Sequence, residues 1–164
     1  VDPDLIYGLN VALSWKGFDF SFFFTGIWGG DVNNGNKTWT DFVSLRGGYN
    51  AGTRTLDAWS PTNKSSSIPA LTLNDNNDEA RFSTYFIESG SYLKLRDAEL
   101  GYTLPESIAR SVQMSHARIY LRGENLLTLK KTWGSNKYTG LDPEAPVETY
   151  PIPFSLTFGL SITF

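Results

Sequence analysis

The chain has no cysteine, so it can form neither a disulfide nor a thiolate metal site. Histidine occurs once, at His116, beside Ser115 at the expected start of a strand. One imidazole without convergent partners makes neither a hydrolytic triad nor a histidine metal site. No stretch approaches the roughly 18 apolar residues of a membrane-crossing helix. Cationic excess is also missing. The formal charge is -3 over 164 residues, which leaves no electrostatic footprint for nucleic acid. Val1-Asp-Pro-Asp4 has no basic head followed by an apolar stretch, so nothing there reads as a secretory leader. The chain opens without methionine, and the expectation is a piece of a longer polypeptide.

Aromatics are abundant, at 15% of residues, and alternation is the dominant pattern. From Phe154 to Phe164 every even position is apolar, and every odd position is Ser, Thr or Gly. A period of two places these sets on opposite faces of a strand. The length suits a tilted membrane-crossing strand of about 9–11 residues. A carboxyl-terminal aromatic such as Phe164 is a mark of bacterial outer-membrane barrels, where it serves assembly. A soluble, secreted β-sandwich that binds carbohydrate is the alternative, with one face in a core and one in water.

The same alternation predicts strands at about 5–15, 18–28, 92–104 and 117–127, before the last at 154–164. Lys16-Gly17 is a tight hairpin turn. The apolar phase slips near Arg96-Asp97, which predicts a bulge. Pro105 to Met114 reads as a short connector of one or two helical turns with Pro at the first position. Two long stretches, about 29–91 and 128–152, read as irregular. Long loops therefore alternate with short turns, as in outer-membrane barrels. Five strands cannot close a barrel, and an open edge in lipid is not viable, so the missing strands must lie elsewhere. The fold class is all-β: an antiparallel transmembrane β-barrel fragment with long extracellular loops, residues 1–164 forming its carboxyl-terminal portion. The carboxyl terminus is expected on the periplasmic side.

Several segments, in order, carry a family resemblance. They are Ile87 to Pro105 (IESGSYLKLRDAELGYTLP), Ala117 to Leu127 (ARIYLRGENLL) and Gly140-Leu-Asp-Pro-Glu144. Trp59-Ser-Pro-Thr-Asn63 with Ile68-Pro69, and the closing Tyr150-Pro-Ile-Pro153, add to it. The chain resembles the SusC/RagA-type TonB-linked outer-membrane transporters of Bacteroidota. The resemblance implies a 22-stranded barrel with an amino-terminal plug, of which this chain would supply the last five strands. It implies a SusD-like surface lipoprotein over the mouth, and TonB engaging an amino-terminal part absent here. It further implies import of oligosaccharides or peptides, with no cofactor and no catalysed reaction. The partners are then the rest of the transporter, outer-membrane lipid, the lipoprotein and TonB.

Lys94, Arg96, Glu99, Arg118, Arg122 and Glu124 all alternate away from the apolar face. A Lys or Arg facing lipid costs about 2–4 kcal/mol at midplane, so these charges should face the lumen. Either Lys94 or Arg96 is then expected to pair with Glu124 across neighbouring strands. Trp39, Tyr49, Trp59, Trp133 and Tyr138 are the loop aromatics that can contact a ligand; Trp15, Trp28 and Tyr102 suit the interfacial girdles. Asn74 to Glu79 offers oxygen ligands without the spacing of a calcium loop, and no metal site is assigned. Asp142-Pro-Glu144 is a carboxylate pair expected to be loop structure.

Overall fold

The computed structural model describes residues 2–45, 48, 50–79, 81–130, 138–145, 150 and 152–164. Two eleven-residue strands come first, β1 (Leu5–Trp15) and β2 (Phe18–Trp28). The turn between them needs two left-handed residues, and Lys16 (φ 48°) and Gly17 (φ 87°) supply them. Such a turn matches the right-handed twist of the strands it joins. A short β3 (Asp31–Asn33) pairs with β4 (Ile87–Ser89). Between them lie helix α1 (Lys37–Asp41) and 3-10 turns at Thr53–Asp57 and Thr84–Phe86. Then follow β5 (Tyr92–Thr103), helix α2 (Glu106–Ser111), β6 (His116–Leu129) and β7 (Ser155–Thr163). Pro105 caps α2 rather than occupying its first position.

The sheet is an antiparallel meander of five strands in the order β1-β2-β5-β6-β7. Its register puts one apolar face across every strand. One row runs Leu13, Phe20, Leu100, Leu121 and Phe158, each opposite the next. The slip at Arg96 is real. Phe23 pairs with Asp97 and Phe24 with Leu95, so Arg96 is the extra residue. On the β6 side the same break leaves Asn125, at φ 54°, and Leu126 out of register. The bulge returns Leu93 and Leu95 to the face that holds Ala98, Leu100 and Tyr102.

Burial is inverted relative to a soluble sheet protein. Leu9, Leu13, Leu156, Phe158 and Leu160 are exposed, and no element among the described residues covers them. The buried apolar residues sit largely in the loops. Phe42, Tyr85 and Phe86 form a ring cluster with centroids 5.5–5.8 Å apart. The stretch expected to be irregular is therefore a small folded unit with its own ladder, helix and core. Its β signal is only three residues per strand, too short for alternation to reveal.

Two glycines, one on each face of the sheet, make room for aromatic rings. Gly26 lies under Tyr7 and Gly159 under Tyr120; a Cβ at either would overlap the ring. We expect Gly159→Val to lower the stability of the assembled protein by about 1–3 kcal/mol through forced displacement of Tyr120. The midpoint of urea unfolding measures it, and an unchanged midpoint refutes the packing argument.

Candidate functional site

The sequence segments around Lys94 and Asp142 meet at the loop end of the sheet. Lys94 and Arg96 leave β5 near the bulge, on the polar side. Lys94 is 2% exposed, and its Nζ donates to both oxygens of Asp142, at 2.8 and 2.9 Å, and to Glu144. Its charge also lies 5.3 Å from the centroid of the Tyr92 ring. Arg96 donates from Nε to Thr25 (3.1 Å) and from its guanidinium to Glu144. The Tyr92 hydroxyl donates to Glu144 as well. The two carboxylates are aimed by a tight turn, in which the Ala145 amide donates to the Asp142 carbonyl at 3.1 Å. Pro143 fits that turn because its ring presets the second turn position.

This corrects the expected pairing. Neither Lys94 nor Arg96 meets Glu124. Lys94 is level with Thr128, and Glu124 is opposite Asp97 across the bulge. Glu124 contacts Arg122 (3.3 Å), whose Nε donates to Asp97 at 2.7 Å. Further along the wall, Arg118 sits between Asp19 and Glu99, the latter 2.6 Å away. All six charges named from the sequence are on the polar side, in three groups of ion pairs. Two belong to the wall; the third ties the wall to the second loop.

A second cluster joins the two loops to each other. Glu88 on β4 accepts from Lys37 (2.8 Å), Asn34 (2.9 Å), and both the amide and hydroxyl of Thr139 (2.9 and 2.7 Å). Asp41 is fully buried and pairs with Arg54 (3.0 Å), while the Tyr85 hydroxyl donates to it at 2.6 Å. Arg54 reaches Thr139 as well, at 3.2 Å. Between the loops lies a cleft of about 670 Å³, lined in part by Asn34, Lys37, Thr40, Arg54, Thr139 and Leu141. Its two cations, Lys37 and Arg54, are matched by Glu88 and Asp41, so it is nearly neutral. Among the described residues, Asn34 Oδ1 and the Tyr138 hydroxyl are buried without a hydrogen-bond partner.

Burial raises the Glu88 carboxyl, but the hydrogen bonds from Lys37, Thr139 and Asn34 outweigh it and hold it below the usual carboxylate range. Glu144 behaves alike: burial raises it, and Lys94, Tyr92 and Arg96 bring it lower overall. Burial pushes the Tyr138 hydroxyl up to about 12, helped by the Glu88 and Asp142 charges. The carboxyl shifts set a pH window. Both groups titrate below their unfolded value of about 4.3, so their contribution is whole above it and is lost as pH falls through the folded values. Pepsin should therefore cut within residues 138–145 increasingly as pH falls below about 4. Equal cutting at pH 5 and pH 3 would contradict this.

The loop aromatics are less convergent than expected. Trp39 and Trp59 are partly exposed, and neither lines the cleft. Tyr138 is fully buried, with Lys130 Nζ 5.5 Å from its ring centroid. Tyr49 and Trp133 lie outside the described residues. In the Asn74 to Glu79 run, Glu79 is held by Ser44 and Thr72, and Asp75 accepts from the Glu79 amide. Among the described residues, no three His, Cys, Asp or Glu side chains converge where a metal ion would sit. The signal missed in the sequence was charge complementarity at matching spacing: Lys94-x-Arg96 against Asp142-x-Glu144.

No family model matches the chain. Among curated proteins it is 34% identical over 146 residues to the TonB-dependent receptor P3 of Formosa agariphila. To receptor P26 of the same organism it is 30% identical over 171 residues, covering 99% of this chain. To the TonB-dependent receptor SusC of Bacteroides thetaiotaomicron it is 29% identical over 166 residues. The chain spans only 13–17% of the length of these relatives. Among solved structures it is similar to the RagAB peptide importer in its open-open state, with TM-score 0.76 and 30% identity over 100% of this chain. The closed-closed state gives TM-score 0.79 and 30% identity over 99%. In each case 17% of the solved chain is covered.

Proposed function

Because the chain is homologous to the SusC- and RagA-type TonB-dependent receptors and corresponds to a barrel segment of such a transporter, we propose that it forms part of the wall and two external loops of an outer-membrane importer. The reading is carried by the sheet itself, which has one uncovered apolar face and an opposite face holding all the strand charges. In a bilayer the first face meets lipid and the second meets water in the lumen. Both long loops leave the same end of the sheet, and this is the external end. Phe164 and the two short connections then lie at the periplasmic side. The named relatives are receptors and an importer, not enzymes.

Oligosaccharides or peptides are the solutes, captured with a SusD-like lipoprotein and moved by TonB acting on a plug outside these residues. Peptide import by the RagAB relatives and the SusC homology support that range. The near-equal match to an open and a closed state supports a fixed wall, with movement elsewhere. Deleting the whole gene in its host tests the reading. The expected result is loss of uptake of one such solute class, with the tagged protein in outer-membrane fractions beside a lipoprotein. Uptake should also stop when the proton gradient is collapsed. Recovery of the protein from the soluble fraction, or uptake indifferent to the gradient, would overturn it.

A further inference from the structure

The cleft between the two loops has its carboxylates fully used and some of its donors free. Glu88 accepts from Lys37 (2.8 Å) and the Thr139 hydroxyl (2.7 Å) on one oxygen. Its other oxygen accepts from Asn34 and the Thr139 amide, both at 2.9 Å. Asp41 accepts from Arg54 (3.0 Å) and Tyr85 (2.6 Å) on one oxygen, and from Thr40 (2.9 Å) on the other. Asn34 Oδ1 is unpaired among the described residues, but it is buried out of a solute's reach. Lys37 is also engaged, donating to the Tyr85 carbonyl at 2.6 Å as well as to Glu88.

Arg54 is different. Its side chain is 32% exposed, and its contacts with Asp41 and with Thr139 (3.2 Å) both go through Nη1. Nε and Nη2 keep their N–H groups without a partner among the described residues. The hydroxyl of Thr53, its neighbour on the cleft wall, has none there either. Asp41 already balances the guanidinium charge, so the free edge suits a neutral acceptor such as a carbonyl. Leu141, 71% exposed, adds an apolar surface to the same cleft, and no aromatic ring lines it. A pyranose brings hydroxyls that need acceptors as well as donors, and a ring face that packs best on an aromatic. An extended peptide brings carbonyl acceptors interleaved with side chains, which is the pair that Arg54 and Leu141 match.

We propose that this cleft is a peptide subsite of the importer. A main-chain carbonyl of the solute sits on the free edge of Arg54 and the Thr53 hydroxyl, with an apolar side chain against Leu141. The inference rests on the importer reading and narrows its two solute classes to one at this place. The volume of about 670 Å³ lies within the roughly 300–1,000 Å³ of ligand clefts and has room for a short peptide segment.

The test is solute retention by the complete transporter, extracted from its own outer membrane and purified in detergent. It is incubated with a tryptic digest of casein or with maltooligosaccharides and washed, and the bound material is identified by mass spectrometry. The wild type should retain peptides and no maltooligosaccharide. Thr53→Trp fills the cleft without breaking an ion pair, and Leu141→Asp removes the apolar contact. Each should lower retained peptide by about tenfold, the effect of losing roughly one buried side-chain contact. Leu73→Trp, exposed on the first loop and outside the cleft lining, should change nothing. Heat-modifiable migration on gels reports whether each variant is a folded barrel; if Thr53→Trp is not, the Leu141 variant carries the test. Absence of peptide from the wild type, equal retention in the cleft variants, or equal loss in the Leu73 control overturns the site. Maltooligosaccharide retained in place of peptide, and lost in the cleft variants, overturns the solute class. Failure of the wild type to fractionate with the outer membrane would instead remove the importer reading beneath it.

Discussion

Arginine at Phe158 blocks barrel assembly, whereas arginine at the adjacent Thr157 is tolerated. The two positions are neighbours on β7 and share its backbone environment, but they face opposite ways. Phe158 stands across from Leu121 in an unbroken apolar row and is 74% exposed in this chain. A guanidinium there enters hydrocarbon, at about 2–4 kcal/mol near the midplane. Thr157 stands across from Arg122, which already has Asp97 and Glu124 around it. A second guanidinium in that setting meets water and carboxylates, and like-charge repulsion limits the cost to about 1 kcal/mol. The measurement is the heat-modifiable, protease-resistant fraction of the full protein in outer membranes. Equal assembly of both variants would remove the distinction between a lipid face and an aqueous face.

The second large effect belongs to Lys94. Replacing it with Met leaves Asp142, itself nearly buried, facing an apolar side chain and takes one of three donors from Glu144. Removing one partner of a buried pair costs about 3–5 kcal/mol, because the remaining Asp142 charge loses its counter-ion and keeps only the hydrogen bond from the Glu144 amide, at 3.0 Å. That cost falls on the attachment of the second loop, since the strand keeps its ladder bonds to β2 and β6. Lys94→Met should therefore make residues 138–145 readily cut by external protease while the barrel stays heat-modifiable. Adding Asp142→Asn removes the orphaned charge and should restore part of the protection. Unchanged protection in Lys94→Met would show that the ion pairs do not hold the loop. Loss of the whole barrel would show that the cluster belongs to the wall instead.

Much of the sheet was legible because each strand states its own two-faced pattern. The alternation at Leu5 to Trp15 and Phe18 to Trp28 needs no information from elsewhere, and both strands span those residues. The break at Arg96 was visible as a slip of phase within one strand. Strand ends were less so. Leu104, Phe154 and Phe164 continue the apolar rhythm but lie beyond the last ladder positions, while β6 runs on to Leu129. A side-chain pattern does not record where a neighbour stops pairing. The first loop gave no pattern at all, since its order comes from the Phe42, Tyr85 and Phe86 rings and from Glu88 gathering three partners.

The sequence by itself determined which residues share a face, and so that one side of every strand is apolar and the other holds the charges. That information is local, repeating every two residues. Only the tertiary structure decided what the charges touch. Lys94 and Asp142 are 48 residues apart, and Asn34 and Thr139 are 105 apart. No period links such positions. Their meeting depends on the meander bringing β5 beside β6 and on both loops folding back over the same end of the sheet. The burial of Tyr138 was settled in the same way, by the walls that close around it rather than by the ring it carries.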